Sequence, residues 1–214
     1  MTTEASFLKN VANHEMTIIR EDGVHRHIRF KKPNSSDMFF DLITWPGALC
    51  YTGDMGTYVF RRLTDMFEFF RTNPKSPYLA TKGLTLGINL GYWAQKLEAV
   101  DRCDGLEKFN PEKFTRVVRD ECVQWLVGCP KSDRRELLEA VKDDVLAYAD
   151  DGEDRARRAA IDFNHETPTQ QFNFLDFWEH DLNEYTTRFT WCCYALAWGI
   201  NQYDTSKTTE IATA

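Results

Sequence analysis

The sequence predicts an α+β fold, an N-terminal antiparallel β-meander of about five strands packed with a C-terminal helical portion. Three observations predict it. Between 14 and 62, short alternating runs are separated by glycine turns. From 64 to 204, cap residues and apolar spacings of three or four take over. The 214 residues include 15 Phe, 8 Tyr and 6 Trp, enough apolar surface for a core without disulfides or metals. Length and composition fit one domain over 1–204, β-rich over 14–62 and helical over 64–204, with a flexible tail over 205–214.

The first strand runs from Met16 to Arg20. Glu21-Asp22-Gly23 then turns into a second strand, Val24 to Lys31, because glycine tolerates the positive φ of a tight hairpin. The period of two puts Ile28 and Phe30 on one face, with Arg26 among them, and His25, His27, Arg29 and Lys31 on the other. Met38 to Trp45 is apolar on both faces and reads as a central strand. Trp45-Pro46-Gly47-Ala48 fits a type II turn into Ala48 to Thr52. Gly53-Asp54-Met55-Gly56 turns into the last strand, Thr57 to Arg61.

Thr64 is the expected cap of a helix over Asp65 to Arg71. Pro74, Pro77 and Gly83 mark Thr72 to Gly87 as a loop. Asn89 caps a helix expected from Leu90 to about Val100. Asn110-Pro111-Glu112 is a strong start, with proline at the first helical position, for a helix ending at Gly128. Ser132 caps Asp133 to Ala149, and Glu153 to Phe163 forms another helix. Trp178, Leu182, Tyr185, Phe189, Cys192, Leu196 and Ile200 recur at helical intervals. They predict one long helix over Asp176 to Gln202, or two helices broken near Thr186-Thr187, with Trp178 on the core side.

Composition narrows the function classes. The apolar stretch from Trp191 to Ile200 is about half the ~20 residues a membrane span needs. Met1 to Phe7 lacks the basic and apolar regions of an export signal, so a reducing cytoplasm is expected. There Cys50, Cys103, Cys122, Cys129, Cys192 and Cys193 serve as small buried residues rather than a disulfide framework. The net charge of −7 is polarised. Residues 1–109 carry 14 basic and 13 acidic groups, and residues 110–214 carry 12 and 20.

No catalytic, cofactor or metal set emerges. His25 and His27 offer two ligands on one strand face, and no third is apparent. Arg20, Arg26, Arg29, Lys31 and Lys32 make a basic strand with Phe39, Phe40 and Trp45 near in sequence, a pattern that would suit nucleic acid. Net acidity and the central position of those aromatics weigh against it. The glycines around Asp54, beside Trp45, Tyr51 and Tyr58, allow close approach of a ligand or partner, although tight turns require the same residues. Cys50 with a nearby histidine lacks an activating context. His180 and Glu184, four apart, read as an exposed ion pair rather than a metalloprotease motif. Between Asp133 and Asp154 nine acids stand against three bases, Asp143, Asp144, Asp150 and Asp151 among them. Such a face would compete for a basic surface on another protein, or it is simply solvated. The candidate interaction surface is therefore His25, His27, Arg29, Lys31, Trp45, Tyr51, Asp54 and Tyr58, with the four acids Asp143, Asp144, Asp150 and Asp151.

FLKNVANHEMT (Phe7 to Thr17), GVHRHIRFK (Gly23 to Lys31), FDLITWPGALCYTGDMGTYVF (Phe40 to Phe60) and WCCYALAWGINQYD (Trp191 to Asp204) resemble a group of small accessory proteins borne by phages and prophages. The resemblance covers most of the chain and carries no established activity or site. It implies a non-enzymatic protein in the host cytoplasm that binds a host protein or protein complex, as inhibitors of antiphage defences do. Two alternatives stand beside it: a small hydrolase or nucleotide-binding enzyme using the 41–61 region, and a nucleic-acid-binding protein using the basic strand 24–32. No cofactor is expected, and neither is a membrane partner.

Overall fold

The computed structural model describes residues 2–73, 76–167 and 170–213, with side chains to Thr209. The chain opens with α1 (Glu4–Val11), then five strands: β1 (Glu15–Asp22), β2 (His25–Lys31), β3 (Phe40–Trp45), β4 (Ala48–Gly53) and β5 (Gly56–Arg61). Three short helices follow, α2 (Met66–Phe70), α3 (Pro77–Thr81) and α4 (Leu90–Ala94), then β6 (Leu97–Ala99) and β7 (Glu107–Phe109). The helices α5 (Pro111–Gly128), α6 (Arg134–Asp144) and α7 (Glu153–Asp162) precede β8 (Asn164–Glu166), β9 (Gln171–Asn173) and β10 (Asn183–Tyr185). The last element is α8 (Thr187–Thr213). The fold is α+β. The chain packs as two compact units. Glu107–Glu184 is inserted in sequence between the two parts of the first, Met1–Leu106 and Tyr185–Ala214.

The first unit is built on an antiparallel sheet of order β1-β2-β3-β4-β5-β6. Its turns follow from glycine. Gly23 takes φ +57° in the hairpin closed by Asp22 and His25, and Gly47 takes φ +83° after Pro46, as a type II turn requires. A bulge between Ile18 and Arg20 bends the edge strand β1. One face of the sheet carries Ile28, Phe30, Phe40, Leu42, Leu49, Tyr51, Tyr58 and Phe60, all fully buried. Residues of α1, α2, α4 and α8 join these in one core. Phe189 and Trp191 of α8 pack on Tyr58 and Phe40. Gly199 lets α8 approach closely, since a Cβ there would stand 3.1 Å from both Phe30 and Leu42.

In the second unit α5, α6 and α7 bury Phe114, Val118, Leu137, Val141, Ala156 and Ala160 together with Phe172, Phe174, Phe177 and Leu182. Trp125 stacks on Phe163 and packs on Phe174. The Asn110 side chain caps α5 by accepting from Lys113 N–H, with Pro111 in the first turn as expected.

Several elements differ from expectation, each for a local reason. The sequence reading has no counterpart to α1, which closes a capping box between Thr3 and Ser6. Its buried Glu4 accepts from Thr85 N–H, Thr85 Oγ1 and Leu86 N–H. The third strand starts at Phe40 rather than Met38, because Met38 is left-handed at φ +55°. Asp65, not Thr64, caps α2 by accepting from Phe67 N–H. Within the expected loop 72–87, Pro77 starts α3. The helix expected to reach Val100 ends at Ala94, and Leu97–Ala99 instead pairs with β5 as a sixth strand. Ser132 bonds Asp133, and α6 opens one residue later and ends at Asp144. The helix expected over Asp176 to Gln202 begins only at Thr187, so the break near Thr186-Thr187 is the real start. Upstream of it lie a tight turn and β10. Trp178 is 64% exposed rather than packed in the core. The helix continues through 205–213, expected as a loose tail. Arg71–Asp204 and Lys207–Glu21 ion pairs hold this end to the unit.

Candidate functional site

The face of the sheet turned away from α8 carries most of the residues singled out on β2. Strand alternation makes this unavoidable once Ile28 and Phe30 point into the core. Register places Arg29 opposite Asp41, Asp41 opposite Thr52, and Thr52 opposite Thr57. The neighbouring row is His27, Ile43, Cys50, Val59 and Ala99. Ile43, Cys50 and Val59 are half-buried and form an apolar stripe across the middle.

Asp41 is the centre of the polar part. Arg29 grips it with Nε on Oδ1 and a terminal nitrogen on Oδ2, both at 2.8 Å, and His27 Nε2 donates to Oδ2 at 2.9 Å. Asp41 is only 5% exposed. Burial alone would raise its pKa, but the Arg29 and His27 bonds outweigh burial and hold the carboxyl below the usual range. Arg29 is raised by the same carboxylate. Such a bidentate pair fixes two planar side chains on a flat surface.

The other residues of the candidate surface are placed as follows. His25 is half-buried opposite Asp22 and lines a cleft of about 280 Å³ with Ile19, Arg20, His27 and Ile43. Lys31 lies opposite Glu15. Trp45, at the end of β3, is 39% exposed. Tyr51 and Tyr58 correct the reading: both are fully buried on the core side, sharing their strand faces with Leu49 and Phe60. Burial pushes the Tyr51 hydroxyl well up, and Tyr58 likewise. Asp54 is exposed, and its Oδ2 accepts from Met38 N–H at 3.0 Å, a turn role. The close approach permitted by the nearby glycines is used by the chain itself. A Cβ at Gly53 would stand 2.2 Å from Phe39 O, and one at Gly56 would stand 2.8 Å from Asp101 Cγ.

Asp143, Asp144, Asp150 and Asp151 belong to the second unit and are exposed. Asp151 pairs with Arg155 at 3.2 Å, and Asp144 lines a cleft of about 410 Å³ with Tyr148, Arg155 and Arg158. The expected His180–Glu184 helix pair does not form. His180 donates to Glu121 at 2.7 Å, and Glu184 accepts from Asn110.

The basic strand is largely neutralised. Arg26 points to the core side, bonded twice to Asp65 at 2.9 Å and lying 4.8 Å over the Phe67 ring. Arg20 meets Asp22, and Arg29 meets Asp41. The arrangement also lacks a thiol dyad. Cys50 is separated from His27 by Ile43 on the intervening strand, roughly 9–10 Å at normal strand spacing. Burial first, then Asp41, pushes its thiol up, away from a reactive thiolate. Among the described residues no three His, Cys, Asp or Glu side chains are grouped to hold a metal ion.

Asp41 falls within the 41–61 region of the hydrolase alternative, whereas Ile43 and Val59 carry no signal of their own in the sequence. The strand register that brings them beside Arg29 and His27 is the signal that finds them. Comparison with family models, curated proteins and solved structures finds no match to the chain. No helix among the described residues is long and apolar enough to cross a membrane.

Proposed function

We propose that this is a non-enzymatic accessory protein of phage or prophage origin that binds a host protein in the host cytoplasm and blocks a defence function. The observation that carries the binding part is the open face of the sheet. It sets the apolar stripe Ile43–Cys50–Val59 beside the fixed His27–Asp41–Arg29 cluster. An apolar centre with satisfied, pre-positioned polar groups beside it has the composition of a protein interface, and it costs little side-chain entropy to use. The phage context comes from the resemblance of the four segments quoted above.

The two alternatives have less support in this geometry. A hydrolase needs a nucleophile within hydrogen-bond reach of its base, and Cys50 and His27 stand two strands apart. Nucleic acid needs free positive charge, and Arg20, Arg26 and Arg29 are paired.

The test is affinity purification from host cells with the wild-type chain and with the double variant Ile43→Lys/Val59→Lys. Thermal melting checks that the variant is folded. A host protein retained by the wild type and lost from the folded variant is the expected result. Equal retention by both, or no retained protein with and without infection, refutes the proposal.

A further inference from the structure

The segment between β9 and β10 presents an apolar tip that the fold goes to some length to hold still. Leu175 is 75% exposed and Trp178 is 64% exposed, while Phe174 and Phe177 beside them are buried. Asp176 between them is left-handed at φ +52°, a turn conformation that Asp adopts more readily than most residues with a side chain. Glu179 N–H donates to Asp176 O at 2.9 Å and closes the turn. Beneath it, Arg157 donates to the carbonyls of Phe177, Trp178 and His180 at 3.1–3.3 Å. Glu153 holds that guanidinium in place at 2.8 Å. The Phe177 ring anchors the turn between Phe114 and Phe174.

An exposed Trp leaves roughly 160 Å² in water if a full ring offers about 250 Å². A soluble surface normally hides such area, and an ordered turn displaying it suits a partner's pocket. Tryptophan is also the residue most often found at the energetic centre of interfaces. The charge around the tip indicates what that partner is. Asp176 and Glu179 flank the two apolar side chains and are exposed. The inserted unit Glu107–Glu184 carries 19 acidic and 11 basic residues, a net −8. Nucleic acid would be repelled, and a basic protein surface would be attracted.

We infer that the Leu175–Trp178 turn is a plug that seats in an apolar pocket rimmed by Lys or Arg on a partner protein. The inference rests on the reading that the protein binds a host protein, and it uses a surface separate in sequence from the sheet face. The experiment places p-benzoylphenylalanine at Trp178, at Leu175 and, as a control, at Val127, which is 82% exposed on α5. The full chain is produced in host cells and irradiated. The expected result is one discrete protein adduct from positions 175 and 178 and none from 127. Its crosslinked peptide should be apolar with flanking Lys or Arg. Trp178→Ala should weaken binding of the purified adduct protein by about 30-fold or more. Adducts that persist in Ile43→Lys/Val59→Lys support the plug even where the sheet-face proposal fails. Absence of adducts at both tip positions in the wild-type sheet background, equal adducts at 127, or adducts with nucleic acid or with a second copy of the chain overturn it.

Discussion

Arg26 and Asp65 offer the sharpest test of how the first unit is held together. Their side chains are 10% and 19% exposed, and both guanidinium–carboxylate bonds are 2.9 Å. Asp65 also caps α2 through Phe67 N–H, and Arg26 lies 4.8 Å over Phe67 and 5.7 Å over Tyr203 of α8. The pair therefore staples α2 and α8 to the sheet. Asp65→Ala strands a nearly buried guanidinium, a loss of about 3 kcal/mol at the low end for a broken buried pair. The lost cap adds about 1 kcal/mol, so the expected cost is about 4 kcal/mol. Arg26→Met keeps an apolar stem over Phe67 and leaves Asp65 able to cap, and it should cost about 2 kcal/mol. In the double variant no charge is stranded. Its cost should be about 3 kcal/mol, less than that of Asp65→Ala alone.

The assay is urea unfolding at pH 7, following the transition of the first unit by circular dichroism and tryptophan fluorescence. An additive double variant, about 6 kcal/mol down, would show the two side chains to be energetically independent and would refute the staple. Acid supplies a second arm. Burial raises the Asp65 carboxyl, but the Arg26 bonds and the Phe67 N–H outweigh it and hold the pKa below its ordinary value. A carboxyl depressed in the folded state contributes stability above its unfolded pKa, near 4. That contribution drains away as pH falls below about 4 toward the folded value. The gap between wild type and Asp65→Ala should therefore narrow from pH 5 to pH 3, and a constant gap would count against the pair.

Two further outcomes follow from the same geometry. Gly53→Ala should cost on the order of 3 kcal/mol in urea unfolding, because its Cβ would meet the backbone of Phe39 and Phe40 at 2.2 and 2.7 Å; a neutral result would mean the β3–β4 contact is looser than described. With Ellman's reagent at pH 8, one thiol should react fast in the native protein, exposed Cys103. Cys50 and Cys122 should be slow and Cys192 and Cys193 protected until urea is added, since burial raises all four. Rapid native labelling of Cys192 or Cys193 would contradict the packing of α8.

The parts of the fold legible in the sequence are those set by local rules. Gly23 and Gly47 punctuate the meander, alternation assigns the faces of β2, and Asn110-Pro111 starts α5. The illegible parts depend on partners distant in the chain. Glu4 of α1 finds its hydrogen bonds at Thr85 and Leu86. Three residues, Leu97–Ala99, are a strand only because β5 offers an edge. The apolar positions Trp178, Leu182 and Tyr185 fit a helical period by coincidence. The turn at Asp176 and the Asp181 side chain accepting from Asn183 N–H divert the chain before Thr187. The site divides the same way. His25, His27, Arg29 and Lys31 share a face by spacing alone. Asp41 joins them only through register, and Tyr51 and Tyr58 drop out once α8 defines which face is core.

Strand β2 uses one device on both of its faces, with opposite consequences. Arg26 and Arg29 are three apart, so alternation sends them to opposite sides, and each meets a carboxylate bidentately. On the core side the pair is enclosed, so its energy goes into joining α2 and α8 to the sheet. On the open side Arg29 is 40% exposed at the side chain while Asp41 is 7% exposed. There the pair adds less to stability, because water screens the guanidinium. It does offset the charge of Arg29 while keeping a rigid planar donor at the surface. A surface of that kind discriminates by shape and hydrogen-bond geometry at short range. It cannot draw a partner in from beyond a Debye length, about 8 Å in physiological salt. The long-range field of this chain comes from the inserted unit, whose net −8 stands against +1 for the rest. Association with the proposed basic partner should therefore slow as salt is added.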